Sequence, residues 1–151
     1  MSGRYYEDFT VGEEMTTSGV TLTEDAIIDF AYRYDPQPFH IDKEAAAASH
    51  FGGLIASSWH TQMTVFRKII DSGFLGDASM GSPGCEEMRF LKPVRPGDTV
   101  HAVLRVLDKR LSKTRDDRGY VTVLYDIRNQ NDDTVITWRG VQIIGRRPAA
   151  S

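Results

Sequence analysis

Asp35 and His40 stand five positions apart in the heptapeptide Tyr34-Asp35-Pro36-Gln37-Pro38-Phe39-His40. A carboxylate and an imidazole on one stiff segment are the groups that general acid–base catalysis uses, where such help contributes about 10²–10⁴ in rate. An ionised Asp only accepts hydrogen bonds, whereas a neutral His offers one donor and one acceptor nitrogen. Imidazole also titrates near working pH, so it exchanges protons in both directions. The two prolines fix their own φ and push the preceding residues out of the helical region. Asp35 and Gln37 are therefore expected to be extended, with the preceding helix ending at Tyr34. The heptapeptide alone fits an ordinary loop equally well, and five extended residues can span ~17 Å. Whether the two side chains meet depends on the rest of the chain.

The chain has 151 residues, 40% of them apolar and 26% charged, which is the balance of a soluble globular protein and suggests one domain over 1–151. A domain of this size buries about 68–70% of its unfolded surface, enough for a core without disulfide or metal staples. The net charge of −3 lacks the basic excess of a nucleic-acid binder. Cys85 is the single cysteine, so no internal disulfide or multi-cysteine metal site can form, and a reducing compartment is favoured. The opening residues carry no apolar signal core, and no stretch approaches the ~20 apolar residues of a membrane span. These features point to a cytoplasmic, soluble protein that needs neither membrane nor nucleic acid.

A helix with Thr21 or Thr23 as cap is predicted to run to Tyr34, with Thr21 and Glu24 spaced as a capping box. A short strand is expected near 14–21. After His40, Asp42 is placed to cap a short alanine-rich helix. Ser57 or Ser58 then caps the strongest helix, in which Trp59, Met63, Phe66, Ile70 and Phe74 recur at helical spacing, Val65 and Ile69 widen the stripe and Gly73 marks the end. That stripe predicts a broad apolar face packed on a curved sheet. Strands are expected over roughly 85–92, 99–111, 119–129 and 134–146, joined by polar hairpin-length loops, with Pro96-Gly97 suited to a type II turn. Helices first and strands afterwards is an α+β order.

The chain resembles the MaoC-like dehydratases, the hotdog-fold family that includes the (R)-specific enoyl-CoA hydratases. Asp35-Pro36-Gln37-Pro38-Phe39-His40 looks like the family pattern Asp-x-Asn-Pro-x-His, with Gln37 at the asparagine position. Tyr6-Glu7-Asp8-Phe9, Val11-Gly12, Phe51-Gly52, Ile55-Ala56, Pro93-Val94 and Gly97-Asp98-Thr99 also look like the family, in the same order. The usual His-Gly at the start of the central helix is Ser57-Ser58 here.

The resemblance implies an α+β hotdog fold, a long helix wrapped by a curved antiparallel sheet, over 1–151. It implies a hydro-lyase of fatty-acid metabolism that hydrates a trans-2-enoyl-CoA, with no cofactor because the CoA thioester is the substrate. Asp35 and His40 would hold one water between them, and the backbone N–H of Ser58 would meet the thioester oxygen. Ser57, Gln37, Pro38 and Trp59 would complete the substrate site. A homodimer or a dimer-based larger oligomer is also implied, with the sheets joined edge to edge and the pocket at the subunit boundary. A hotdog acyl-CoA thioesterase and a non-catalytic acyl-CoA-binding module are the alternatives. The other histidines, His50, His60 and His101, lack metal-ligand spacing, so no metal is expected. Lys109, Arg110, Lys113, Arg115 and Arg118 crowd one hairpin and Arg146-Arg147 ends the last strand. They read as solvated surface charge, with CoA phosphates as the other possibility.

Overall fold

The computed structural model describes residues 3–150. Met1 and Ser2 of the opening segment, and Ser151 at the end of the expected domain, lie outside the described residues.

Four helices precede the main strands: α1 (Glu24–Tyr34), α2 (Pro38–Ile41), α3 (Lys43–Ala48) and α4 (Ser58–Asp71). Thr23 caps α1, its hydroxyl accepting from Ala26 N at 3.3 Å. The expected Thr21–Glu24 capping box does not form, because Thr21 belongs to a strand and its hydroxyl pairs with that of Thr99 at 2.7 Å. Asp42 caps α3 as expected, accepting from the N–H groups of Glu44 and Ala45. The stretch near 14–21 divides into β1 (Glu14–Thr16) and β2 (Val20–Thr21). The segment between them turns Thr17 inward, where its N–H donates to Ala102 O and its hydroxyl accepts from Ala102 N.

The second half is β3 (Gly84–Phe90), β4 (Thr99–Leu111), β5 (Arg118–Arg128) and β6 (Thr134–Gly145), close to the boundaries the alternation predicts. All pairings are antiparallel, in the order β1-β4-β5-β6-β3, with β2 on the β1 side of β4. The Arg95–Asp98 turn closes with Asp98 N donating to Arg95 O, and Gly97 supplies φ of +90°. One face of the sheet is dry. Ala102, Leu104, Val106, Val121, Val123, Tyr125 and Ile127 are fully buried there, while Tyr120, Thr122, Leu124 and Asp126 are only partly buried.

Helix α4 lies on that dry face by the Val65 and Ile69 edge of its expected stripe, not by the row of its largest residues. Thr61, Val65 and Ile69 are completely buried, whereas Trp59, Met63 and Ile70 are 53%, 51% and 49% exposed. The periodicity shows that the helix has an apolar side without showing which sector meets the sheet. The narrower, β-branched row permits the closer approach, so the broad row faces outward. The helix is also shorter than its periodic pattern, 14 residues, because Gly73 at φ +76° ends it before Phe74.

Candidate active site

The residue before Pro36 ends α1 as its chemistry requires. Asp35 takes φ −150° and ψ 64°, and Gln37 is extended at φ −76° and ψ 143°. The chain then departs from the expected loop. Pro38 heads the helical turn α2, where its missing N–H costs nothing, and Phe39 and His40 fold back with it. This reversal turns a possible ~17 Å span into contact. His40 Nε2 lies 3.3 Å from Asp35 Oδ2.

The imidazole is only 5% exposed, and its Nδ1 sits 2.7 Å from the carbonyl oxygen of Ile55. A carbonyl only accepts, so Nδ1 carries the hydrogen in the neutral ring, and Nε2 presents a lone pair to Asp35. Two acceptors thus face each other. Such a pair is satisfied by a group that donates to both, or by a proton on Nε2. Gln37 Nε2 holds the other carboxylate oxygen, donating to Asp35 Oδ1 at 2.6 Å. Burial is the largest influence on Asp35 and raises its pKa. The Gln37 amide, the nearby Ser57 hydroxyl and the His40 ring together outweigh it, leaving the carboxyl below its ordinary value. The Ser57 contact is short of a hydrogen bond, since Ser57 Oγ is buried without a partner.

Asp35 and His40 open onto a cavity of about 450 Å³, within the size range of small-molecule sites. Gln37, Ser58 and Trp59 also line it. Ser57 and Pro38 lie outside the lining: Ser57 is wholly buried at the N-cap position of α4, without a side-chain capping bond, and Pro38 is exposed at the head of α2. Ser58 is the first residue of α4 and lines the cavity, so its N–H has no acceptor within the helix and the positive end of the dipole lies beside the site. Phe39, Phe51, Phe90 and Leu91 supply apolar walls, and Trp59 meets Phe90 edge-to-face at 5.6 Å. Sequence reasoning missed these walls. Phe51 and Ile55 were noted as neighbours of the family pattern, but nothing local ties the end of β3 to the start of α4.

The remaining candidates lie elsewhere. His60 stacks on Phe30 at 4.7 Å, and burial lowers its pKa. His101 sits 3.5 Å from Asp132, and His50 packs against Phe51. The basic cluster sits at the β4–β5 hairpin, where Lys109 donates to Phe9 O, Arg110 covers the Tyr120 ring and Arg118 pairs with Asp117. Arg146 and Arg147 pair with Glu7 and Asp8. The cavity lies by the opposite end of the sheet, where Leu91 N donates to Val135 O and Arg128 of β5 stands opposite His101 of β4 in the ladder. The hairpin is a β4 length away, about 40 Å at the usual rise, which separates its charges from the site.

A long helix on the dry face of a curved antiparallel sheet, with an apolar-walled cleft beside the helix start that carries an acid–base pair, defines a hotdog protein. The MaoC like domain family model matches residues 8–126, and the chain belongs to that family of hotdog dehydratases and hydratases. An uncharacterised Bacillus subtilis protein, YdeM, is 36% identical over 83% of this chain and 88% of its own. The crystal structure of a MaoC-like dehydratase from Rhodospirillum rubrum is 38% identical with a TM-score of 0.92, over 97% of this chain and 100% of that one. A Mycobacterium tuberculosis protein with a double hotdog fold shares the architecture at 16% identity and a TM-score of 0.78, over 99% of this chain and 46% of that one. No helix among the described residues is long and apolar enough to cross a membrane.

Proposed function

We propose that this protein hydrates a trans-2-enoyl thioester, in the first instance a CoA thioester, and catalyses the reverse dehydration, with Asp35 and His40 as the reacting pair. The observation that carries the reading is the 3.3 Å approach of Asp35 Oδ2 and His40 Nε2 with Nδ1 committed to Ile55. A water donating one hydrogen to each acceptor has its own lone pairs turned toward the cavity. Asp35, whose carboxyl is held below its ordinary value, stays ionised and orients the water through the hydrogen bond it accepts. His40 Nε2 therefore takes the proton as the water oxygen bonds to C3. The C2–C3 π pair moves onto the thioester as an enolate, and the proton on Nε2 passes to C2, restoring the neutral ring. The Ser58 N–H at the start of α4 supports the enolate oxygen, a role in which one lost donor costs about 10²–10³ in rate elsewhere.

The pocket walls at Trp59 and Phe90 are both about half exposed, and among the described residues β3 pairs only with β6. An apolar stripe beside an unpaired strand edge supports a homodimer joined there, with the pocket near the boundary. A single exposed Cys85 suits a reducing compartment, in keeping with a cytoplasmic location.

The test is loss of enoyl-thioester absorbance on crotonyl-CoA. Wild-type protein should hydrate it, and Asp35→Asn and His40→Ala should each lose about 10²–10⁴ in kcat. Full activity in either variant, or release of free thiol without a hydrated product, would overturn the assignment.

A further inference from the structure

A serine ahead of a helix ordinarily caps it, its hydroxyl accepting from an N–H of the first turn. Ser57 holds that position before α4 and does not cap, since its side chain makes no bond to the helix. The residue is completely buried, and its Oγ has no hydrogen-bond partner among the described residues. A buried hydroxyl left unpaired is destabilising, and native structures keep a partner within its reach. Substrate does not supply that partner. Ser57 lies outside the cavity lining, while Ala56 and Ser58 on either side of it belong to the lining.

The acceptor beside Ser57 is Asp35. Its carboxylate lines the cavity with those two neighbours, and the Ser57 hydroxyl is already one of the groups that act on it. The charged group among them is His40, whereas Gln37 and Ser57 are neutral. Asp35 Oδ1 accepts from Gln37 and Oδ2 faces His40. A carboxylate has about four acceptor sites, so it has room for a further donor. A hydroxyl turns its hydrogen to suit its acceptor.

We propose that Ser57 is a positioning residue whose hydroxyl donates to the Asp35 carboxylate instead of capping α4. The consequence is twofold. Gln37 holds the carboxylate from its own loop, and Ser57 ties it to the helix start, so the water that Asp35 orients is set relative to Ser58. A capping oxygen would also occupy an N–H of the first turn. With the hydroxyl turned away, those donors stay open to the charge that develops on the thioester oxygen. The effect on turnover rests on the hydration reading of the site; the bond itself does not.

The test follows the Asp35 carboxyl signal by NMR against pH in wild type, Ser57→Ala and Ser57→Cys. Both variants should move the midpoint to higher pH, since a methyl group has no donor and a thiol of similar shape is a weak one. On crotonyl-CoA each should lose about tenfold in kcat with KM unchanged, because a donor to a charged group is lost and a substrate contact is not. A midpoint equal to wild type in Ser57→Ala overturns the proposal. A shift in Ser57→Ala that Ser57→Cys does not share overturns it too, by assigning the effect to lost volume. A crystal structure of unliganded wild type needs no variant, so a misfolded substitution leaves it decisive. Oγ should lie within hydrogen-bond range of an Asp35 oxygen; Oγ beyond that range, or bonded to Thr61 or to an N–H of α4, overturns the proposal. Failure of wild type to hydrate crotonyl-CoA, with the midpoint shift present, removes the hydratase reading and keeps this one.

Discussion

The side-chain amide of Gln37 donates to Asp35 Oδ1 at 2.6 Å, so the carboxylate that faces His40 is held from behind by a residue two positions along the same strand of chain. Gln37 is thereby placed to position Asp35 and to keep it ionised. Of the influences that lower the Asp35 pKa, this amide is the largest. Replacing it with Leu should let the burial effect prevail and raise that pKa. The Asp35 carboxyl signal followed by NMR against pH should then move its midpoint to higher pH. A profile unchanged in Gln37→Leu would remove the positioning role.

The same shift fixes a sign for stability. A carboxyl whose folded pKa lies below its unfolded one stabilises the fold above the unfolded value, and the contribution disappears as pH falls through the folded one. Asp35→Asn should therefore cost stability near neutral pH and converge with wild type below about pH 4. Denaturant midpoints measured across that window check it; a difference that grows on acidification contradicts the assignment.

His40 is expected to matter for folding as well as for rate. Its Nδ1–H is the partner of the buried Ile55 carbonyl oxygen, and His40→Ala leaves that acceptor without it. The variant should lose about 1–3 kcal/mol from the unpaired group, in addition to the space vacated by the ring. Urea unfolding reads this directly. Stability equal to wild type would mean that the Ile55 contact is not formed in solution.

Asp42 carries a simpler prediction. It accepts from two N–H groups at the start of α3, so Asp42→Ala should cost about 0.5–2 kcal/mol. For a chain of this length that corresponds to a Tm lower by a few degrees.

The outward row on α4 predicts assembly. Met63→Glu with Ile70→Glu places two charges on residues that are half-exposed in the single chain, so the fold should survive while the dimer does not. Sedimentation of wild type as a dimer and of the double variant as a monomer is the expected pair of results. In contrast, Lys113→Ala and Arg115→Ala at the distant hairpin should leave KM for a CoA thioester unchanged.

The sequence by itself determined what local physics controls. Two prolines end α1 at Tyr34, Asp42 caps the next helix, Gly97 makes its turn, and alternation from Val121 to Ile127 sets a strand with one dry face. The family pattern around Asp35 and His40 was equally legible, because it is a property of adjacent residues. What the tertiary structure decided was everything that depends on which surfaces meet. The turn at Pro38 brings His40 back onto Asp35, and Ile55, fifteen residues away, selects its tautomer. The end of β3 closes the cavity against Trp59, a contact that no local spacing encodes. The direction of α4 was likewise beyond the sequence. Its periodicity draws two neighbouring apolar rows, and only close packing on the sheet chooses Val65 and Ile69 for the core and leaves Trp59, Met63 and Ile70 outside.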